Sequence, residues 1–235
     1  MWRSSHFRPP TGMHSVGRMY AQIVLFDGFD PLDVVAPFEV LAAGGALSGG
    51  GLDVRLVSAE GPRRVVSGTL GLALEASAGL DPELPGYVVV PGASGPIEGD
   101  PDVVDTIPVL LARVGETALP GLVGTAMSRP DVTVATVCGG SLALAMAGLL
   151  EGRTAVTHVR GLDVLDATGV TVVEARVVDD GDLISAGGVT SGLDLGLYLV
   201  ERSFGPRVAH AVEQLFQYER RGTVWRAAGV LPVPA

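Results

Sequence analysis

The only cysteine of the 235-residue chain, Cys138, lies in the stretch TVATVCGGSLALAMAGLL (133–150), where a β-branched run meets two glycines and then an apolar helical pattern. Thiolate is the reactive form of cysteine, and a helix N-terminus favours it through unpaired backbone N–H groups and the helix dipole. A strand–Cys–Gly–Gly–helix unit therefore predicts a thiol titrating below its usual value of about 8.5. Gly139 and Gly140 clear side chains from a place where backbone must approach closely, and they are the residues free to take φ > 0. The same geometry forms a nucleophile elbow in hydrolases, where the next backbone N–H helps to bind an oxyanion. The competing reading is a small buried hydrophobe, the usual state of a free cysteine. Spacing alone leaves both open.

Other chemistry-bearing patterns are few. The chain has four histidines and neither H-E-x-x-H nor C-x-x-C, so no metal site is expected. G-x-G-x-x-G is absent after the first strand-like run, as is a Walker-type G-K-[ST], and no cofactor is expected. His158, in strand-like AVTH, and His210, on the amphipathic RVAHAVEQLF, both read as structural.

The elements that must hold Cys138 follow from the patterning. YAQIVLFDGFD opens as a strand ending in a turn, and PLDVVAPFEVLAAGG reads as a helix starting near Pro31 and stopping at Gly44 and Gly45. LDVRLVSAEG is a second strand, RRVVSGTLGLALEASAGL a short hairpin, and GYVVVPGASG a buried strand entering a Gly-rich loop. Within 101–129, Pro108, Pro120 and Gly121 interrupt a helical period, which predicts two helices or one helix and a lid-like loop. DVTVATVC is a strand and GSLALAMAGLL its helix. RTAVTH and VTVVEARVVDDGDLISAGG continue as strands, and TSGLDLGLYLVERSFG and PRVAHAVEQLFQYERRG close as helices. Alternation of this kind implies a mostly parallel sheet covered on both faces.

Composition bounds the function. Hydrophobic residues make up 47% and charged residues 18%, as in a well-packed globular chain, and the formal net charge of −10 disfavours nucleic acid as a partner. A single cysteine forms no intramolecular disulfide, which fits a cytoplasmic setting. Residues 1–19 carry Arg3, Arg8 and Arg18 without the apolar run of a signal peptide and read as a disordered extension, with Met13 or Met19 as a possible start. No membrane span is expected, and 20–230 form one domain.

The segment VATVCGGSLALAMAGLLEGRTAVTH resembles the cysteine region of the ThiJ/PfpI superfamily, a flavodoxin-like branch of the class I glutamine-amidotransferase-like fold. It is most similar to the isocyanide hydratase subgroup, with its V-C-x-G-S-x-x-L-x-x-A-G-L-L-x-G-x-x-A-T-x-H pattern. FDPLDVVAPFEVL, VVVPGASG and DGDLISAGGVTSGLDLGLYLVE match three further family stretches in the right order, so the resemblance spans 21–229. It implies a flavodoxin-like three-layer sandwich, a cofactor-free hydro-lyase acting on a small isocyanide, and a homodimer. In that family Cys138 would be the nucleophile and Asp33 the acid/base beside it. Gly92, Ala93 and Gly95 would form the loop facing the thiol, with Gly139 at the oxyanion position and Asp194 near the pocket.

Two departures weaken the inheritance of substrate. Gly139 stands where the better-known hydratases carry Thr, and 99–129 looks longer than its counterpart. The peptidase and amidotransferase relatives place His directly after the nucleophile or supply a later His-x-Glu pair, and this sequence has neither. A glyoxalase-like thiol enzyme would want a histidine near the thiol, which the sequence does not reveal. A ligand- or redox-sensing domain is the third reading, since relatives are fused to AraC-type regulators; the chain ends at VLPVPA with no basic patch for DNA. Phe216 and Trp225 are expected to pack either on a second subunit or in the core.

Overall fold

The computed structural model of the protein describes residues 18–100 and 103–230. The extension expected over 1–19 falls outside them except for its last two residues, and Met19 already opens the first strand. In chain order the elements begin with β1 (Met19–Val24), α1 (Pro31–Leu47), β2 (Leu52–Ser58), β3 (Arg63–Val66), β4 (Ala73–Ala76), β5 (Ala78–Gly79) and β6 (Gly86–Val90). The middle of the chain forms α2 (Ile107–Val114), α3 (Leu119–Met127), β7 (Val132–Val137), α4 (Gly140–Met146), β8 (Thr154–Ala155) and α5 (Leu162–Asp166). There follow β9 (Thr171–Val172), β10 (Val177–Asp179), β11 (Leu183–Ala186), α6 (Ser191–Phe204), α7 (Pro206–Phe216) and β12 (Trp225–Arg226).

Eight strands form the main sheet in the order β12-β10-β11-β7-β6-β1-β2-β5. All its pairs are parallel except β10 with β11. The central strands are covered on both faces, which is why GYVVV of β6 is buried throughout and lacks a period of two. Helices α1, α6 and α7 pack together on one face, while α2, α3 and α4 cover the other. The fold is thus the three-layer α/β arrangement expected. After β1 the chain turns outward to β2, then returns to place β6 on the other side of β1. Ligand sites in open parallel sheets form at such reversals, beyond the carboxyl ends of the strands.

Local chemistry explains the element starts. Asp30 caps α1 by accepting the Leu32 N–H at 2.9 Å, and Pro31 supplies a first-turn φ with no N–H to satisfy. Pro108 and Pro120, read from sequence as interruptions, lie in the first turns of α2 and α3, so two helices form. Contrary to the sequence expectation, α1 does not stop at Gly44 and Gly45. A Cβ on Gly44 would lie 2.4 Å from Cγ2 of Val200, and one on Gly45 would lie 2.7 Å from the Leu52 carbonyl. These glycines let α6 and β2 approach the helix. The chain turns away afterwards, at Gly49 and Gly50, both with positive φ.

Two further expectations are corrected. The strand predicted for RTAVTH shrinks to the two residues of β8, and α4 ends at Met146, before Leu149 and Leu150. The short α5 and β12 were not legible as periodic runs. Trp225 pairs beside Val178 within its own chain, and Phe216 packs against the core. Among the described residues no single helix is long and apolar enough to cross a membrane.

Candidate active site

Cys138 follows β7 directly and takes φ 55°, a left-handed conformation uncommon outside glycine. The strain expected at the neighbouring glycines therefore falls on the cysteine itself, since Gly139 has φ −67°. Such a conformer costs on the order of 1–2 kcal/mol and persists only where surroundings over-determine it. Here they do. The Cys138 N–H donates to the carbonyls of Ala186 (3.0 Å) and Gly187 (2.9 Å), and its carbonyl accepts the Thr157 hydroxyl at 2.7 Å. Gly140 is needed for a different reason: a Cβ there would lie 2.2 Å from the Val90 carbonyl.

Asp33, in the first turn of α1, is completely buried and meets this elbow from the other side. Its Oδ2 accepts the Gly92 N–H at 3.0 Å, its Oδ1 has no hydrogen-bond partner among the described residues, and its carboxyl interacts with the Cys138 thiol. Burial, with the Asp30 carboxylate second, pushes its pKa from 3.8 up to about 8, against the opposing pull of the Gly92 N–H and the thiol. Burial pushes the Cys138 thiol up as well, and the Asp33 carboxylate adds to that, while the Gly139 N–H works the other way. The expected depression of the thiol pKa is thus corrected: desolvation and a neighbouring acid outweigh the helix N-terminus. The resting pair at neutral pH is a thiol beside a largely protonated carboxyl.

The Gly-rich loop after β6 runs beside Cys138 and Gly139. Gly92 fits between the Asp33 carboxyl and the backbone after Cys138, since a Cβ there would lie 2.6 Å from Gly139 N and 2.9 Å from Asp33 Oδ2. Backbone rungs from Asp30 N–H to Gly92 O (2.9 Å) and from Ser94 N–H to Gly28 O (3.0 Å) flank Ala93. They leave the Ala93 N–H outside both. Ala93, Gly95, Gly139 and Cys138 line one cavity of about 380 Å³. Its remaining wall is mostly apolar and includes Ile107 and Leu111 of α2 and Leu142 of α4. A Cβ on Gly139 would lie 3.0 Å from a methyl of Leu111, so the α2 leucine takes up space that a threonine at 139 would need.

Asp194 is not brought to this cavity. Its carboxylate is buried in α6, where it accepts Arg176 Nε (2.5 Å), the Tyr218 hydroxyl (2.9 Å) and the Arg221 N–H (2.8 Å). Conversely, His158 joins the cavity wall although it read as a structural strand residue. It caps the turn Val159–Gly161, with Nδ1 accepting the Arg160 N–H at 3.2 Å. Arg160 and Asp30 are further cavity residues that sequence reasoning missed. For Arg160 the only signal was position, since the turn after β8 comes back beside the elbow; Asp30 enters as the cap of α1. His210 lies exposed on α7, 3.5 Å from Glu213. Among the described residues no cluster of three or more His, Cys, Asp or Glu could hold a metal ion.

The chain is similar to several known proteins. The profile of the DJ-1/PfpI family matches residues 112–202. The chain is 31% identical to isonitrile hydratase of Pseudomonas putida over 198 residues, 83% of this chain and 76% of that one. It is 28% identical over 203 residues to protein DJ-1 homolog A of Arabidopsis thaliana, 82% of this chain and 45% of that one. Among solved structures, a ThiJ/PfpI family protein from Pseudomonas syringae superposes with a TM-score of 0.72 at 26% identity, covering 92% of this chain and 84% of that one.

Proposed function

Since the chain belongs to the DJ-1/PfpI family, we propose that it is a cysteine-dependent hydro-lyase that adds water to an isocyanide to give an N-substituted formamide. The observation that carries this reading is the contact between Cys138 and a buried Asp33 that still holds its proton near pH 7, both beside an apolar cavity. An isocyanide offers one terminal carbon that must receive a nucleophile and a proton, and this pair holds both. Sulfur bonds to that carbon as the Asp33 carboxyl delivers its proton there and takes the thiol proton in exchange. A thioimidate on Cys138 results. Water then adds to the same carbon, with Asp33 passing one water proton to nitrogen. The C–S bond breaks as the remaining hydroxyl proton returns through Asp33 to sulfur, releasing R–NH–CHO. One water is consumed and both side chains are restored. The Gly139 N–H stabilises negative charge on sulfur during attack and departure.

The test is hydration of 4-nitrophenyl isocyanide, with the formamide identified by mass. Cys138→Ala is expected to abolish turnover, and Asp33→Asn to lower kcat by about 10²–10⁴-fold, as loss of a general acid does. Turnover that survives Cys138→Ala would defeat the proposal.

His158 on the cavity wall favours a second reading, a glyoxalase-like conversion of an α-oxoaldehyde to a hydroxy acid, because that chemistry uses a histidine near the thiol. Methylglyoxal offered to the same protein separates the two. Lactate without any formamide from the isocyanide would replace the hydratase reading.

A further inference from the structure

Of the 14 described arginines, ten form ion pairs; Arg64, Arg160, Arg207 and Arg221 do not. In a chain of net charge −10 an uncommitted guanidinium is notable for where it lies, and of these four only Arg160 lines the cavity of Cys138. It is exposed, so its charge is solvated at no burial cost and is free to meet a ligand. His158 lines the same cavity. Because His158 Nδ1 accepts the Arg160 N–H, that nitrogen is unprotonated in the neutral ring, and the proton sits on Nε2. Gly188 leaves room for this ring, as a Cβ there would lie 2.8 Å from His158 Cδ2.

The rest of the wall has different chemistry. Asp30 is engaged as the cap of α1, and Ile97, Ile107, Leu111, Leu142, Met146 and Val164 supply apolar surface. Ile97, Met146 and Val164 are 46%, 47% and 52% exposed, a collar that an apolar substrate body would cover. The volume of about 380 Å³ lies at the small end of the roughly 300–1,000 Å³ range of ligand cavities.

Resting on the hydratase reading, we propose that the substrate class is an isocyanide whose compact apolar body carries a carboxylate, held by Arg160 with help from the His158 Nε2–H. The isocyanide carbon meets Cys138, the body lies on Leu111 and Leu142, and the carboxylate takes the planar fork of the guanidinium. Arg160 acts as a specificity residue and does not touch the reacting carbon.

The experiment compares 4-isocyanobenzoate with its methyl ester, two substrates differing in one charge. The wild type is expected to show a KM for the acid about tenfold below that for the ester. The advantage should shrink as sodium chloride is raised, because an exposed pair is screened. Arg160→Gln should bring the acid/ester ratio close to one, and Arg160→Lys should restore part of it. A wild-type ratio near one, or a ratio that Arg160→Gln leaves unmoved, overturns the subsite while the hydratase reading stands. If neither compound is hydrated, 4-nitrophenyl isocyanide decides the hydratase reading, and the subsite is judged by calorimetric binding of 4-formamidobenzoate and its methyl ester. Acid-selective binding lost in Arg160→Gln supports it, and equal binding of the two overturns it.

Discussion

A carboxyl buried to the last square ångström, as Asp33 is, makes folding itself pH-dependent. Its folded-state pKa of about 8 lies above the ordinary 3.8, so the folded protein holds that proton more tightly than the unfolded chain. The contribution of Asp33 to stability is therefore full below about pH 4 and is lost progressively as pH rises to about 8. At roughly 1.4 kcal/mol per pH unit the loss is on the order of 5 kcal/mol. Asp33→Asn keeps an acceptor for the Gly92 N–H and cannot ionise. It should raise Tm above wild type by a margin that widens from pH 4 to pH 8 and is flat beyond. A margin independent of pH in thermal melts would refute this assignment. Catalysis follows the same proton, so kcat should fall as pH passes about 8. Both residues of the pair were legible in the sequence, Cys138 from the strand–Cys–Gly–Gly–helix unit and Asp33 from family resemblance. The direction of the thiol shift was not. Spacing locates a helix N-terminus, but burial of the thiol is set by segments that arrive from elsewhere in the chain, among them the helix that carries Asp33.

Elements hold this geometry through close approach. Asp33 reaches Cys138 only because α1 is fixed against α6, and glycines set that contact. Besides Gly44 against Val200, a Cβ on Gly196 of α6 would lie 2.8 Å from Cγ1 of Val40, and one on Gly192 would lie 3.1 Å from Pro37. Helix propensity and packing thus oppose each other at Gly44. Alanine gains about 1 kcal/mol in a helix interior relative to glycine, while overpacking of this kind costs about 1–3 kcal/mol. We expect Gly44→Ala to be destabilising in urea. In combination with Val200→Ala it should cost less than the two single changes summed, since the second substitution vacates the contested space. A stabilising Gly44→Ala would show that α1 and α6 have slack at this contact. This is also why the sequence misplaced the end of α1. Local rules read paired glycines as a stop, and only α6 and β2, packed against them, reveal them as a seat.

At the scale of the whole molecule, the segment after α7 closes the fold over the far edge of the sheet, and Asp194 anchors it. Gln217 takes a left-handed conformation to end α7, Tyr218 and the Arg221 N–H reach the Asp194 carboxylate, and β12 pairs with β10. A second buried acid, Asp179, accepts from Tyr198 and Arg202 beneath that strand, and Arg226 donates to the Tyr198 hydroxyl. The resemblance marked Asp194 as a candidate because it follows the G-G segment. Only the tertiary path of residues 217–227, which carries no strong period, assigns it to a strap instead. Removing one partner of a buried ion pair typically costs about 3–5 kcal/mol; Arg176 is a quarter exposed, so Asp194→Ala should fall at or below the lower end of that range. The loss should be localised. Amide exchange ought to quicken first over 218–227 and β10, ahead of β6 and β7, because the strap opens without unseating the central strands. Uniform quickening throughout the sheet would mean that the anchor is part of the global core. A fall in isocyanide turnover beyond the loss of folded protein would instead return Asp194 to the active site.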